Sequence, residues 1–153
     1  MEIISRGKTE RGEKILKKEN CNFVSSEAKS LQGDKEKATK IQLFDETKLA
    51  GTVLIEEPNN KELRTEYMQL RYVSVEPEYM GGNAVILLYE KSIEYAESLS
   101  KKLLFDSSLT IGAYKSFKKL EQLGYKVIEN PEAKFDGNIY IANKSWVLRV
   151  ERQ

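Results

Sequence analysis

Residues 75–84 read VEPEYMGGNA, and residues 85–100 continue without a break as VILLYEKSIEYAESLS. A strand-like run therefore stops at Pro77, passes two adjacent glycines and turns at once into an amphipathic helix pattern. Adjacent glycines indicate a backbone that approaches something closely or adopts a positive φ. The free N–H groups of a helix start favour an anion at such a point. The stretch predicts either a phosphate-binding loop or a plain strand-to-helix turn.

The composition excludes several classes of function. The chain has 153 residues, with 25 basic and 24 acidic side chains and a formal charge of +1, so no global charge attracts nucleic acid or an anionic membrane. With a single cysteine, Cys21, and no histidine, an intramolecular disulfide and a Cys/His zinc site are excluded, and we expect no metal. No run approaches the ~20 apolar residues that span a bilayer. We therefore expect a soluble, cytoplasmic protein with one domain, residues 1–153.

The lack of histidine also limits the chemistry. It removes the commonest general base near neutral pH and every Ser-His or Cys-His nucleophile. Catalysis would have to use carboxylates, hydroxyl groups, a lysine or positioning alone.

Hydrophobic periodicity predicts the elements of the first half of the chain. Residues 1–5 are a short candidate strand, and residues 7–37 are polar, with weak helical patterns at 9–20 and 25–31. Period two over residues 38–57 predicts a hairpin, and residues 66–77, with Pro77 ending the run, predict a third strand. On that strand five alternate residues are predicted to share one face: Tyr67, Gln69, Arg71, Val73 and Val75.

The second half alternates between helix and strand. Helices are predicted at 83–101 and at about 111–124, where Gly124 is the expected stop residue, with strands at 102–107, 125–129 and 138–150. Three consecutive strands favour antiparallel neighbours, and a strand-helix-strand unit favours a parallel, right-handed crossover. The predicted fold class is α+β, with a mixed central sheet and helices on both faces.

This order, together with the segments VEPEYMGGNAVILLYE and SFKKLEQLGY, resembles the GNAT acyltransferases, which transfer an acyl group from acyl-CoA to an amine. In that family a V-x-P strand ends in a loop of the form Q/R-x-x-G-x-G/A, whose amides hold the cofactor's pyrophosphate. Here V-x-P is residues 75–77, and G-x-G/A falls on residues 82–84. The resemblance covers roughly residues 38–128. It implies a sheet with antiparallel N-terminal strands that splays open at the V-x-P strand.

The resemblance also implies acetyl-CoA as cosubstrate and indicates where it binds. The backbone groups of Val73 and Val75 would hold the pantetheine arm. The pyrophosphate would be held by the amides of the loop and helix start: Met80, Gly81, Gly82, Asn83, Ala84 and Val85. Three lysines of the second helix, Lys115, Lys118 and Lys119, are candidates for the outer phosphates, although we favour a solvated helix face for them.

Two positions depart from the family pattern. The Q/R position falls on Tyr79 or Met80, because the loop is one residue shorter when the glycines are aligned. The tyrosine that protonates the departing thiolate in the family corresponds to Leu120, which has no proton to donate.

The base is not evident either. Family members often carry Glu or His at the positions occupied here by Gln69 and Arg71, and neither of these is a plausible base. The remaining candidates are the phenols of Tyr67 and Tyr114 and the carboxylates of Glu66 and Glu76, each of which also has a packing or surface interpretation. We select Tyr114 as the candidate acid and Glu66 as the candidate base.

The function implied by the resemblance is an N-acetyltransferase that transfers an acetyl group from acetyl-CoA to an amine by direct attack. The acceptor is open between a small amine, a peptide N-terminus and a protein lysine, and a homodimer is an open option. We expect neither a nucleic acid nor a membrane as partner. Two alternatives remain: a non-catalytic GNAT-fold module that binds CoA or a protein, and a small interaction domain without a ligand.

Overall fold

The computed structural model of the chain describes residues 12–29, 38–105, 108–137, 139–141 and 146–152. Two helices are described, α1 (Ala84–Ser98) and α2 (Ile111–Lys118). The strands within these ranges are β1 (Cys21–Ala28), β2 (Ala38–Asp45), β3 (Lys48–Glu56), β4 (Tyr67–Val75), β5 (Lys102–Phe105), β6 (Ser108–Thr110), β7 (Tyr125–Glu129), β8 (Lys134–Phe135), β9 (Ile139–Ile141) and β10 (Leu148–Arg152).

The main sheet is mixed. Its seven described strands follow the order β1-β2-β3-β4-β5-β10-β7, and a smaller sheet has the order β6-β9-β8. All neighbours in the main sheet are antiparallel except β4 and β5, which are parallel and connected through α1. The predicted α+β class, with antiparallel N-terminal strands and one parallel crossover, is confirmed.

Helix α1 packs on the main sheet against β3, β4 and β5, and α2 packs against α1. Helix α1 buries Leu88, Tyr89, Ile93 and Ala96 against the strands, at the helical spacing expected of an amphipathic segment. The ring of Phe117 on α2 meets the ring of Tyr89 at 5.2 Å between centroids. The mixed sheet with packed helices agrees with the prediction, and the described residues include two of these helices. No helix of these ranges is long and apolar enough to cross a membrane.

A β-bulge in β4 changes the predicted faces of this strand. Val53 of β3 lies opposite Val73, but Ile55 lies opposite Leu70, so β4 contains one extra residue at this point. The predicted common face for Tyr67, Gln69, Arg71, Val73 and Val75 is therefore wrong. Val73 and Val75 pack toward α1 and the main core, whereas the extra residue turns Tyr67 and Gln69 to the opposite face.

The N-terminal third differs most from the prediction. Residues 12–17 have no regular structure, Lys18–Asn20 form one 3-10 turn, and β1 follows where a helical turn was expected. Strand β1 lies at the edge of the main sheet, and most of its side chains are exposed, so its sequence lacks the alternation that marks a half-buried strand. The predicted strand at residues 1–5 lies outside the described residues.

The second helix is shorter than predicted but ends where expected. After α2 the chain continues as a 3-10 helix, Lys119–Leu123, and stops at Gly124, whose φ is +94°. A left-handed glycine at this position releases the chain into β7 without the cost that a Cβ would add.

Candidate functional site

A cleft of about 420 Å³ opens where β4 extends beyond β5. The two parallel strands pair from Tyr67 and Lys102 to Leu70 and Phe105, and β4 then continues alone to Val75. We call the point where the strands part the fork. The glycine loop and the first turns of α1 border the cleft on one side, and α2 borders it on another. The lining residues include Val73, Val75, Gly81, Gly82, Tyr89 and Ser116.

The backbone of β4 presents hydrogen-bonding groups along the open side of the fork. The amide of Glu76 donates to the carbonyl oxygen of Ala50 at 2.8 Å, in register with the pairing of Val75 and Gly51. Residues in an antiparallel pair alternate between bonding to the partner strand and pointing away from it. The N–H and C=O groups of Val73 and Val75 therefore point away from β3, toward the side from which β5 has departed.

The start of α1 supplies a second set of donors. Gly81 has a φ of +85°, a left-handed conformation that favours glycine. Among the described residues, none accepts a hydrogen bond from the amides of Gly81, Asn83, Ala84 or Val85. These groups lie at the positive end of a 15-residue helix. The arrangement suits an anion bound by backbone alone.

The other side of the loop is held by residues 12–16, which we call the N-terminal strap. The amides of Gly12, Glu13 and Lys14 donate to the carbonyl oxygens of Pro77, Met80 and Glu78 at 2.8–3.1 Å. A Cβ on Gly82 would overlap the carbonyl oxygen of Lys14, and a Cβ on Gly12 would overlap that of Glu78. The close approach that the paired glycines indicated is therefore, at Gly82, an approach of the chain's own backbone.

Asn83 ties the strap to the helix start. Its Oδ1 accepts from the amide of Leu16 at 2.7 Å, and its Nδ2 donates to the carbonyl oxygen of Leu16 at 3.1 Å. The side chain is thus occupied by the strap, and Asn83 could offer a ligand only its backbone amide. Ala84 is fully buried. The other six predicted binding residues line the cleft: Val73, Val75, Met80, Gly81, Gly82 and Val85. Their contact with a cofactor stays a prediction.

Tyr79, one of the two residues that the sequence offers for the Q/R position, anchors the turn before the glycines. Its hydroxyl donates to Oδ2 of Asp45 at 2.8 Å, and burial together with this bond raises the pKa of Tyr79 to about 12. The same bond lowers the pKa of Asp45. Lys14 bridges Asp45 and Glu78 at 3.2 and 3.4 Å, and Lys48 also pairs with Glu78. This ion-pair network fixes the loop from outside the cleft.

The candidate acid, Tyr114, is not among the cleft residues. Its hydroxyl donates to Oε2 of Glu129 at 2.6 Å, and its ring stacks on Tyr140 at 4.0 Å. Burial, followed by the bond to Glu129, raises the pKa of Tyr114, so the phenol stays protonated near neutral pH. Leu120 is fully buried in the main core. The role of Tyr114 in catalysis stays a prediction.

The candidate base, Glu66, is exposed at the start of β4. Its carbonyl oxygen accepts from the amide of Lys102 at 2.9 Å. Because a strand rises about 3.3 Å per residue, Glu66 lies roughly 30 Å along the strand from Val75. The structure does not bring Glu66 and Tyr114 together, and the role of Glu66 also stays a prediction. Of the candidate lysines, Lys115 is exposed and Lys118 pairs with Glu121 at 3.3 Å.

Two polar features of the structure were not predicted from the sequence. The first is the phenol of Tyr89, which the sequence places on the apolar stripe of α1 but which lines the cleft. The second is a polar row on the opposite face of the main sheet. There Glu56 is fully buried, Gln69 donates to the carbonyl oxygen of Phe105 at 3.0 Å, and Arg149 donates to the hydroxyl of Tyr67 at 2.9 Å. No sequence signal marks this row, because the bulge in β4 places its members together.

No protein-family model matches the sequence, and neither does any curated protein sequence. Solved structures do match. An acetyltransferase of the GNAT family from Streptococcus pneumoniae is 16% identical with a TM-score of 0.48, covering 74% of this chain and 64% of its own. The N-acetyltransferase PseH of Campylobacter jejuni is 14% identical with a TM-score of 0.45, over 76% of this chain and 68% of its own. A GNAT-family acetyltransferase of Listeria monocytogenes is 12% identical with a TM-score of 0.46, over 74% and 64%. The chain thus spans about two thirds of the length of the GNAT-family structures to which it is similar.

Proposed function

We propose that the protein is a GNAT-type N-acyltransferase, a single domain that binds acetyl-CoA in the cleft at the fork and transfers the acetyl group to an amine. One observation carries this proposal. Val73 and Val75, whose backbone groups point away from β3, line the same cleft as Gly81 and Val85, whose amides have no acceptor among the described residues. A nucleotide-linked acyl carrier combines a diphosphate with an amide-containing arm, and these two sets of groups are suited to its two parts.

The diphosphate would lie at the start of α1. The amides of Gly81, Asn83, Ala84 and Val85 provide donors, and the helix dipole favours the negative charge without any arginine. The arm would then run along the open edge of β4, past Val75 and Val73 toward the fork. At the fork the acyl group would meet the acceptor.

The reaction would be a direct attack of the amine on the thioester in a ternary complex. Its acceleration would come largely from holding the two reactants together, which can supply several kcal/mol of the barrier. Leu120 provides no proton for the leaving thiolate at the family's usual position. The acceptor is an amine, either on a small molecule or on a protein.

Calorimetric titration with acetyl-CoA tests this proposal. We expect micromolar binding by the wild type. The variant Met80→Glu places a carboxylate at a cleft position that is 40% exposed, so we expect it to weaken binding by repelling the diphosphate. The matched control is Leu123→Glu, which adds the same charge at an apolar residue that is 51% exposed outside the cleft lining. Equal affinity in both variants, or no binding by the wild type, would overturn the proposal.

A second candidate function is a non-catalytic module that binds CoA, supported by Leu120, Gln69 and Arg71 at the positions where the family carries its acid and base. Thiol release from acetyl-CoA, measured across a panel of small amines and peptides, separates the two functions. Binding without thiol release with any acceptor would favour the module.

A further inference from the structure

We infer that the hydroxyl of Tyr89 donates a hydrogen bond to the sulfur of bound CoA and protonates this sulfur as it leaves the acyl group. The inference rests on the proposed function and deepens it. It assigns to a residue of α1 the proton donation that Leu120 does not provide.

The ring of Tyr89 has a fixed orientation. It meets the ring of Phe105 edge-on, with centroids 5.6 Å apart and planes at 82°, and the ring of Phe117 at 5.2 Å and 87°. Phe105 and Phe117 also meet each other at right angles. Three mutually perpendicular rings leave little freedom for rotation, so the hydroxyl is held in one place.

The hydroxyl of Tyr89 has no protein partner in the part of the chain that the structure describes. The residue is only 1% exposed, and no described group accepts from its oxygen or donates to it. The oxygen is nevertheless not completely enclosed by the described residues. Since Tyr89 lines the cleft, its remaining accessible surface opens there. Buried phenols usually have a hydrogen-bond partner, and a bound ligand would supply one.

Tyr89 also lies at the correct end of the cleft. Phe105, which its ring contacts, is the last residue of β5 to pair with β4, so Tyr89 packs beneath the fork. An arm that enters at the glycine loop and follows β4 would bring its reactive end to this place. Of the other hydroxyl groups that line the cleft, that of Tyr79 is bonded to Asp45, which leaves Ser116 as the competing donor.

The proton balance of the step is complete. The neutral amine nitrogen attacks the thioester carbon, a C–N bond forms, and the C–S bond breaks with its electron pair going to sulfur. The proton of the Tyr89 hydroxyl passes to sulfur. The resulting phenolate recovers a proton from the amine nitrogen through water, so the products are an amide and the free thiol. Burial raises the pKa of Tyr89, so the phenol keeps its proton near neutral pH and is available as a hydrogen-bond donor.

The test measures the pKa of the CoA thiol in the complex by titrating the ultraviolet absorbance of the thiolate, and it needs no acceptor. A donor at the sulfur stabilises the thiolate, so the wild type should lower this pKa relative to free CoA. Tyr89→Phe should raise it by about one unit, the effect of one hydrogen bond to a charged group. Ser116→Ala, which removes the competing donor, should leave it as in the wild type, and so should the control Tyr72→Phe, whose side chain is exposed outside the cleft lining.

Three outcomes would overturn the inference: no difference between bound and free CoA in the wild type, no change in Tyr89→Phe, or a shift in Ser116→Ala instead. The first comparison does not depend on the folding of any variant. Calorimetry on the same samples distinguishes a wrong assignment of Tyr89 from a wrong proposed function. If the wild type does not bind CoA, the proposed function itself is overturned. With any amine that the wild type acetylates, Tyr89→Phe should reduce turnover by ~100-fold or more.

Discussion

The two ends of strand β4 are built from different kinds of polar group. At the C-terminal end of β4, around Val75, the polar groups that a ligand could bond belong to the backbone. They are those of the strand edge, the glycine loop and the first amides of α1. Near its start the polar groups belong to side chains, among them Gln69 and Tyr67, together with Glu56 and Arg149 from other strands. The first set opens onto a cleft, and the second set is largely buried within the protein.

Because of this difference, we expect the two ends of β4 to contribute differently to ligand affinity and to the stability of the fold. Side chains at the start of β4 bond to one another and to the main chain, as Arg149 does to Tyr67 and Gln69 does to Phe105. At the other end, the amides of Gly81, Asn83, Ala84 and Val85 have no acceptor among the described residues. We therefore expect substitutions near the start of β4 to change the free energy of unfolding alone, and substitutions at the loop to change ligand affinity as well.

The largest effect is expected at the start of β4. Glu56→Gln removes the carboxylate that lies 3.6 Å from the guanidinium of Arg71, and both side chains are mostly buried. The substitution removes the charge that faces Arg71 in a mostly buried environment, so we expect the free energy of unfolding to fall by about 3 kcal/mol. Urea unfolding measures this, with the exposed Glu62→Gln as control. A loss of acetyl-CoA affinity with unchanged stability would contradict the division between the two ends.

The second effect is expected at the loop. Gly82→Ala puts a Cβ where the carbonyl oxygen of Lys14 lies, so the strap has to move. We expect about 2 kcal/mol of destabilisation, typical of an overpacked site, together with weaker acetyl-CoA binding.

The matched control for this substitution is Gly112→Ala. Gly112 also lines the cleft, but a Cβ there would meet no atom within 4 Å, and the residue is helical. Alanine should stabilise the helix by up to about 1 kcal/mol. If both variants lose the same stability, the close approach of the strap is not what requires glycine at position 82.

A smaller effect is expected from Asn83→Ala. The variant loses both hydrogen bonds to the backbone of Leu16, which are partly buried, and should be about 1.5 kcal/mol less stable. Because the backbone amide of residue 83 remains, acetyl-CoA affinity should fall only through loosening of the strap. Asn60→Ala, which removes one exposed bond to the amide of Glu62, is the control and should cost less. Destabilisation of Asn60→Ala beyond that of Asn83→Ala would show that the strap contributes little.

The same two ends explain how much the sequence could predict. The loop is a local feature, because a proline, two glycines and the apolar stripe of a helix lie within 25 residues. The strand-to-helix junction could therefore be predicted from the sequence. The contacts of the strap with the loop could not be predicted from the sequence, because they join residues far apart along the chain. Leu16 and Asn83, for example, are 67 positions apart. The glycine pair was therefore interpreted as room for a ligand, whereas Gly82 makes room for Lys14.

The start of β4 was misassigned for a different reason. Period-two alternation assumes a regular strand, and one extra residue near Arg71 reverses the face of everything before it. Nothing in the run YMQLRYVSV marks the bulge, since each residue type fits either face. Tyr89 was missed because an aromatic residue on an apolar helix stripe predicts packing, and the sequence does not show that this residue lines the cleft beside the fork.

The smallest effect at neutral pH is expected from Tyr79→Phe, which tests the anchor outside the loop. The lost bond to Asp45 should lower the free energy of unfolding by about 1 kcal/mol. The pH dependence is more specific. The pKa of Tyr79 is raised to about 12 in the folded protein, above its unfolded value of about 10. Its contribution to stability is therefore fully present below pH 10 and is lost as the pH rises toward 12.

Asp45 gives the opposite sign at the acid end. Its folded pKa is lowered, chiefly by the bond from Tyr79, so its contribution is present above its unfolded pKa and is lost as the pH falls through the folded value. Tyr79→Phe should thus flatten the stability profile at both ends, as measured by urea unfolding across the pH range. The exposed Tyr72→Phe should leave the profile as in the wild type. If Tyr79→Phe leaves the profile unchanged, the ion pairs of Lys14 and Lys48 hold the loop without the phenol. The loop would then be fixed by surface charges and not by the buried ring of Tyr79.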